Sequence, residues 1–499
     1  SGDSERALSR LVSFASTRPA HFSVWRLLAR DEHQRNVRLL AELFSLNESL
    51  SQGLIGFPHT QGRAEDASFT FLADASLDSP PSATQIQAHF EDEMAKVRPD
   101  ATVEEFDATM NHARHRILSQ IALHDLAHQP DAAEIGIRLS DLADEVLRRM
   151  LRDLAARNLV PLRRSGCRFD LAILALGKLG MRFMDFGSDL DLVFVFRPVD
   201  AEGASTEQLR EHATRVGVQM MSRLRSRAGG ARLYDVDTRL RPSGRQGLLV
   251  SSGEAFTRYQ RGALPVWERL ASLWIRPIFA ARFGDDTADA TDREAIMDWA
   301  ARLASDTRSA LVAAQLPPAQ VAAETAKILQ RVFHENSRES RTARLPVDNM
   351  RTLLEQIGAG AAPQVVLDAK LAPGSCLDLE LGVGALLLSH STTLAQLDST
   401  SPSHLSSVLD ALDNSGAIRP SEAEDLRSAY AFLRKLLNRL RMDAHKLGDD
   451  SADSFSTHSP RLPRVARRMG IEDETALLRQ FLEHRIAVRS ILNARSLPR

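Results

Sequence analysis

Hydrophobic spacing along the chain switches between helical and strand-like periods, and the switches divide it into stretches. Over residues 3–54, Leu8, Leu11, Val12, Trp25, Leu27, Leu28, Leu39, Leu40, Leu43 and Leu46 step by three and four, the rhythm of a helix face. A passage rich in Gly, Pro and Ser from Gly56 to Ser82, with Pro80-Pro81 inside it, predicts a linker or long loop. Helical spacing resumes from Gln87 to Arg157, where Leu142, Val146, Leu147, Met150 and Leu154 form one amphipathic stripe. Between Phe169 and Phe283 short apolar runs alternate with glycine turns, the pattern of an α/β core. Within it, Glu207 to Arg225 predicts the crossover helix that a parallel pair of strands requires. From Arg293 onward the spacing is helical again. Gly416 reads as a helix stop, and Ser421-x-x-Glu424 after Pro420 as a capping box opening a helix through Met442. Glu472 to Leu492 predicts a last amphipathic helix. No repeat of solenoid length is present.

Chemistry concentrates in the α/β stretch. The apolar run Leu171–Leu176 leads into Gly177-Lys178-Leu179-Gly180, and then Gly187-Ser188-Asp189-Leu190-Asp191 precedes the apolar Leu192–Phe196. Period-two alternation puts Asp189 and Asp191 on one strand face. Two carboxylates that close repel unless a hard cation lies between them. Mg²⁺ suits this arrangement, taking one or two carboxylates, several waters and the oxygens of a nucleoside triphosphate. The glycines allow close approach of backbone to phosphate. An isolated Asp-x-Asp is usually a solvated pair, and a lone Gly-x-x-Gly means less still. The order of strand, glycine turn, Ser-Asp-x-Asp and strand carries the reading, and it resembles the nucleotidyltransferase superfamily. A second segment, Arg232 to Gly244, predicts another strand with Asp235, Asp237 and Arg239 on one face. Two-metal phosphoryl transfer needs a third carboxylate. Asp237 is the candidate, with Asp235 sharing that duty or standing at the edge; a salt-bridged Asp/Arg ladder is the structural alternative.

Tyr234-Asp235-Val236-Asp237-Thr238-Arg239-Leu240-Arg241-Pro242-Ser243-Gly244, with Gly247–Val250, Ala255-Phe256, Tyr259-Gln260 and Trp267-Glu268, resembles glutamine synthetase adenylyltransferase. The Gly177–Gly180 and Ser188–Asp191 block and the basic helix Arg114–Leu126 resemble the same family. The family enzyme fuses two nucleotidyltransferase halves, one attaching AMP to a tyrosine of glutamine synthetase and one removing it by phosphorolysis; the wording from Tyr234 to Gly244 is more similar to the adenylylating, C-terminal half. The resemblance implies an α+β, mostly helical fold, with a polymerase-β-like nucleotidyltransferase core between N- and C-terminal helical domains. The expected division is 1–105, 106–290 and 291–499. It implies ATP as substrate and a two-metal Mg²⁺ site on Asp189, Asp191 and Asp237. Gly177, Lys178, Gly187 and Ser188 are expected to meet the triphosphate. Arg239 and Arg241 would stabilise charge, or pair with Asp235 or cap the strand. Glu268 and Arg276, eight apart, are expected as a structural pair. Glutamine synthetase is the implied partner, with the PII signal protein and glutamine as effectors. A uridylyltransferase acting on a PII-type protein and a non-catalytic module of the same fold remain alternatives. Two departures stand out. After Gly180 the family has a second Gly and then a Glu, where this chain has Met181, Arg182 and Phe183, and over Lys370–Leu381 only Lys370, Gly374, Asp378 and Glu380 keep the family's register.

Composition narrows the class. Net charge is −2 over 499 residues, with a pI near 6.7, so no polyanion-binding field exists and nucleic acid is not an expected partner. Two cysteines, Cys167 and Cys376, fit a reducing compartment, and no apolar run reaches membrane-spanning length; a cytoplasmic enzyme without a membrane partner is expected. No secretory signal pattern opens the chain, and its Ser1-Gly2 start reads as an expression remnant or a cut from something longer. His112/His115 and His124/His128 have helical spacing and read as solvated positions, not zinc ligands. Basic residues are almost all arginine, yet two of the six lysines, Lys178 and Lys370, fall inside motifs, where a compact, strongly hydrated charge is wanted.

Overall fold

A computed structural model describes residues 5, 7–10, 12, 34–47, 49–51, 79–199, 204–227, 232–242, 244–286, 290–335, 347–397, 404–444 and 450–495. Most of the Gly56–Ser82 passage and Ser243 lie outside them. In chain order, α1 (Gln34–Ser45), α2 (Ala83–Ala95), α3 (Val103–His128) and α4 (Ala132–Arg164) precede the sheet. The core runs β1 (Phe169–Ala175), α5 (Gly177–Gly180), β2 (Leu190–Pro198), α6 (Thr206–Arg225), β3 (Val236–Asp237), β4 (Val250–Ser252), α7 (Gly253–Gln260), α8 (Val266–Ser272) and β5 (Arg276–Phe283). Then come α9 (Ala290–Ala313), α10 (Pro318–Glu335), α11 (Val347–Gly358), β6 (Val366–Asp368), α12 (Cys376–Ser389), α13 (Ser391–Gln396), α14 (Leu405–Asn414), α15 (Pro420–Met442), β7 (Ser454–Ser456), α16 (Leu462–Met469) and α17 (Glu474–Ala494). The fold is α+β and mostly helical, as expected. No described helix is long and apolar enough to cross a membrane.

The sheet has strand order β3-β2-β1-β5, with β4 also on β2. β1 pairs antiparallel with β2 and β5, while β3 and β4 pair parallel to β2 at its two ends. The expected crossover through α6 is present. Every residue of β1 is buried because both sheet faces are covered. Leu171, Ile173, Leu192, Phe194 and Phe196 pack with α1–α4 and α6, whereas Ala172, Leu174, Val193 and Val195 pack with α7 and α9. Helix α9, which the sequence division places in the C-terminal bundle, lays Ile296, Trp299, Ala300 and Leu303 on the sheet.

Three sequence expectations need correction. The strand over 232–244 shrinks to Val236–Asp237, because its flanks are held by side chains: Arg239 by Asp237, and Arg241 by the Thr238 and Gly247 carbonyls. The capping box of α15 sits two residues earlier than Ser421, with Arg419 as N-cap, Pro420 first in the helix and Glu422 accepting the Arg419 amide at 2.9 Å. Proline at the first helical position forfeits no hydrogen bond, which explains the earlier start. His115 and His124 are buried, not solvated: His115 Nδ1 meets Ser49 O at 2.9 Å, and His124 stacks on His128. Gly416 does end α14, with φ +74 and its amide on Asp413 O.

Many arginines are interior. Arg434, Arg439 and Arg489 are fully buried and matched to Asp185, Asp125 and Asp378. Much of the arginine bias therefore serves helix packing, where a planar fork satisfies a carboxylate bidentately.

Candidate active site

Strand pairing builds the acidic centre. Leu190 pairs with Val236 and Asp191 with Asp237 in parallel register, so the two carboxylates sit side by side, and Asp189 precedes β2 by one residue. Carboxylate oxygens of all three lie within 4.8 Å of one another. Burial and the charges of Asp189 and Asp237 push the Asp191 pKa up to about 7, against the pull of Lys178 and Arg239. An acidic group held that far above its ordinary range is one whose charge lacks compensation within the protein. The donor set is all oxygen, which fits a hard divalent cation and not a soft one.

The glycine turn shapes the same spot for two different reasons. Gly177 has φ +53, and a Cβ there would lie under 3.0 Å from Asp191 Oδ2; the missing side chain makes room for the carboxylate. A Cβ on Gly180 would strike the carbonyl of Trp274. Gly180 thus serves packing against the segment after α8. Met181 has an ordinary helical φ of −69, which shows why a second glycine is dispensable, and Phe183 lies under the Arg434 guanidinium at 4.6 Å.

These elements enclose a cleft of about 610 Å³. Gly177, Lys178, Gly187, Ser188, Asp189, Asp191, Asp235, Asp237 and Arg239 line it, so all but one of the site residues expected from sequence converge there. Arg241 does not line it; it fastens the loop after β3. Arg239 ties back to Asp237, while Asp235 pairs with Arg232 at 2.6 Å. Lys178 Nζ lies 2.5 Å from Asp185, a carboxylate buried completely and also ion-paired with Arg434 at 2.6 Å. Burial alone would raise the Asp185 pKa, but Arg434, Lys178 and Arg441 together hold it well below the usual carboxylate range. Ser188 Oγ accepts the Asp185 amide, closing the loop beneath the triad.

The cleft also contains residues the sequence reading missed. Trp267, Leu270, Ala271 and Trp274 form one stripe of α8 and its extension, facing Leu377, Leu381 and Gly384 of α12 across from the carboxylates. Their three- and four-residue spacing was visible, but nothing local said which cleft it faced. Lys370, Glu380 and Arg441 join from the C-terminal half. The register-keeping positions of 370–381 prove to be a junction: Gly374 has φ +77 against the Arg485 backbone, Asp378 is matched by Arg489, and Glu380 accepts from Tyr430. Glu268 and Arg276 are not a pair. Glu268 accepts from Tyr259 at 2.7 Å, and Arg276 binds Asp144 at 2.8 Å.

A mixed sheet with a glycine turn after β1, and three carboxylates where two parallel strands meet, is consistent with the α/β core of a nucleotidyltransferase-type domain. Residues 59–291 match the family model described as glutamate-ammonia ligase adenylyltransferase. Residues 364–494 match PII-uridylyltransferase, over a span that contains none of the three carboxylates. The chain is 27% identical over 449 residues to a bifunctional glutamine synthetase adenylyltransferase/adenylyl-removing enzyme of Chromobacterium violaceum, covering 89% of this chain and 42% of that protein. Proteins of the same description from Streptomyces avermitilis (29% over 385 residues; 76% and 33%) and Methylococcus capsulatus (31% over 344; 66% and 31%) are also similar. The chain therefore spans less than half the length of these relatives.

Proposed function

We propose that the protein transfers AMP from ATP to a tyrosine hydroxyl of glutamine synthetase, releasing pyrophosphate, as one half-reaction of the relatives' bifunctional chemistry. The observation that carries this reading is the in-register pairing of Asp191 with Asp237, beside Asp189 and under Gly177. Asp189 and Asp191 would hold one Mg²⁺ and, with Asp237, a second. When bound, these ions neutralise the triphosphate and lower the pKa of the attacking hydroxyl. Gly177 keeps the backbone low enough for phosphate to approach, with Gly187 and Ser188 beside it. Lys178 and Arg239 supply positive charge at the cleft wall. Each reaches a carboxylate, so each is oriented before substrate arrives, and pre-orientation avoids reorganisation cost during transfer. Arg241 acts through the loop that presents Asp237. The apolar stripe of α8 excludes water from the opposite wall, which strengthens every charge interaction in the cleft.

The wording from Tyr234 to Gly244 supports the adenylylating direction. The division into 1–105, 106–290 and 291–499, the cytoplasmic setting, and PII protein and glutamine as effectors belong to the same proposal. Incubation with labelled ATP, Mg²⁺ and glutamine synthetase should place label on the synthetase. Label from UTP on a PII protein would instead support the uridylyltransferase reading that residues 364–494 suggest, and silence in both arms would sink transfer altogether.

A further inference from the structure

The triad sits at the amino end of β2. The carboxyl end of the same strand opens into a second groove of about 720 Å³. There β2 and β4 run parallel, with Phe196 paired to Ser252. The helices that follow them leave on opposite faces of the sheet. α6 buries Leu209, Ala213 and Val216 with Phe194 and Phe196, whereas α7 buries Phe256 with Val193, Val195 and Trp299. Helices diverging from neighbouring parallel strands open a crevice at the strands' carboxyl ends, the place where open α/β sheets take ligands. Thr206 and Gly253, the first residues of α6 and α7, both line this groove. Two helix N-termini therefore meet in one concavity; Ser205 and Ser252 cap the Gln208 and Ala255 amides, leaving the earlier first-turn amides without an intrahelical partner.

Arginine supplies the remaining character. Arg197 is fixed in the floor: its Nε bonds buried Asp170 at 2.8 Å, and its guanidinium lies 4.7 Å from the Trp299 ring. Arg258, Arg261 and Arg302 line the groove and are exposed, and none has a hydrogen-bond or ion-pair partner among the described residues. Glu254 and Asp306 lie one helical turn from Arg258 and Arg302 and also line the groove, yet neither arginine engages its neighbour. Three guanidinium forks without a carboxylate partner among the described residues, beside two helix N-termini, present the donor set that oxyanions require.

We propose that this groove binds a phosphorylated ligand of nucleotide size, at a site separate from the triad cleft. Phosphate is favoured over a lone carboxylate because it engages forks and helix amides from several directions at once, and the volume exceeds what one carboxylate would fill. Isothermal titration of the whole chain with ADP and with inorganic pyrophosphate, in EDTA so that no metal recruits them to the triad, tests this directly. Both should bind, and Arg258→Gln/Arg302→Gln should weaken them about tenfold or more, the loss expected for two charge-assisted contacts. Asp191→Asn should leave this binding unchanged, and Glu254→Gln/Asp306→Asn should tighten it severalfold. AMP transfer should persist in the arginine variant, because the groove lies apart from the triad. Absence of binding, equal binding by the arginine variant, or loss of binding in Asp191→Asn would each overturn the site. Malonate binding as tight as pyrophosphate would overturn the phosphate assignment. The four groove positions substituted are exposed, and thermal melts would verify that these variants and Asp191→Asn fold.

Discussion

Asp191 is where the chemistry of single residues is most exposed to test. Asparagine there keeps volume and removes charge, so Asp191→Asn should fold yet lose at least about a hundredfold in transfer. Near-normal turnover would remove the residue from the mechanism. Its pKa of about 7 also sets a sign. The folded form keeps a proton that an unfolded aspartate, with pKa about 3.9, releases. Metal-free protein should therefore lose stability from this group as pH climbs from about 4 to about 7. Thermal melts across that window should show a flatter decline in Asp191→Asn, and equal slopes would refute the assignment. Asp237→Ala should separate binding from turnover. A non-transferable ATP analogue with Mg²⁺ should bind within a few-fold of normal, because Asp189 and Asp191 remain, while the chemical step falls by orders of magnitude. The two glycines should also part company. Gly177→Ala displaces the Asp191 carboxylate and should destroy activity, with melting little changed beyond the roughly 1 kcal/mol cost of a left-handed alanine. Gly180→Ala pushes on the Trp274 backbone and should lower stability first. At this scale the motif wording was sufficient to find the acidic centre. It did not separate the two glycines, because the atom each would strike lies far away in sequence.

Between elements, helix α15 governs the loop that carries Asp185. Arg434 ion-pairs with Asp185 and donates to the Phe183 carbonyl, Asn438 accepts the Phe186 amide, and Arg441 reaches both Asp185 and Asp453. The loop between the glycine turn and β2 is therefore shaped by a helix some 250 residues later in the chain. Arg434→Met leaves Asp185 buried with one matched charge fewer and should cost about 3–5 kcal/mol, the penalty for breaking a buried pair. Urea unfolding should show a lower midpoint at constant slope. A loss under about 1 kcal/mol would mean that Lys178 and Arg441 compensate Asp185 by themselves. The sequence showed α15 as an amphipathic helix with a proline-marked start. Its grip on the loop was illegible because a buried arginine looks like any exposed one in a chain so rich in them.

Across the whole molecule, buried polar contacts join segments distant in sequence, and His115 on Ser49 is one of them. Burial, then the charge of Arg114, push its pKa down to about 3 while Ser49 accepts from its ring. An unfolded histidine takes up its proton near 6.5. The contribution of His115 is thus fully present above about pH 6.5 and is lost as pH falls toward 3. His115→Gln should blunt acid unfolding over that interval; an unchanged acid midpoint would show that other groups drive it. Direction of catalysis also belongs to this scale. Given phosphate and adenylylated glutamine synthetase, the protein should remove AMP more slowly than it attaches AMP from ATP. Faster removal would assign it to the other half of the relatives' chemistry.

What the sequence determined alone was whatever depends on neighbours a few residues apart: the succession of helical and α/β stretches, the glycine turn, and the alternation placing Asp189 and Asp191 together. Those features follow from backbone period and local sterics, which a short window contains. Tertiary structure decided what depends on register and on contacts distant in sequence. Pairing of β2 with β3 set Asp237 against Asp191, and a two-residue strand is too short to announce its partner. Packing of α8 against α12 closed the cleft with Trp267 and Leu381. Burial turned Lys178 from an expected phosphate contact into one that also holds Asp185, since the charge of a side chain is written in the sequence but its counter-ion is chosen by the fold.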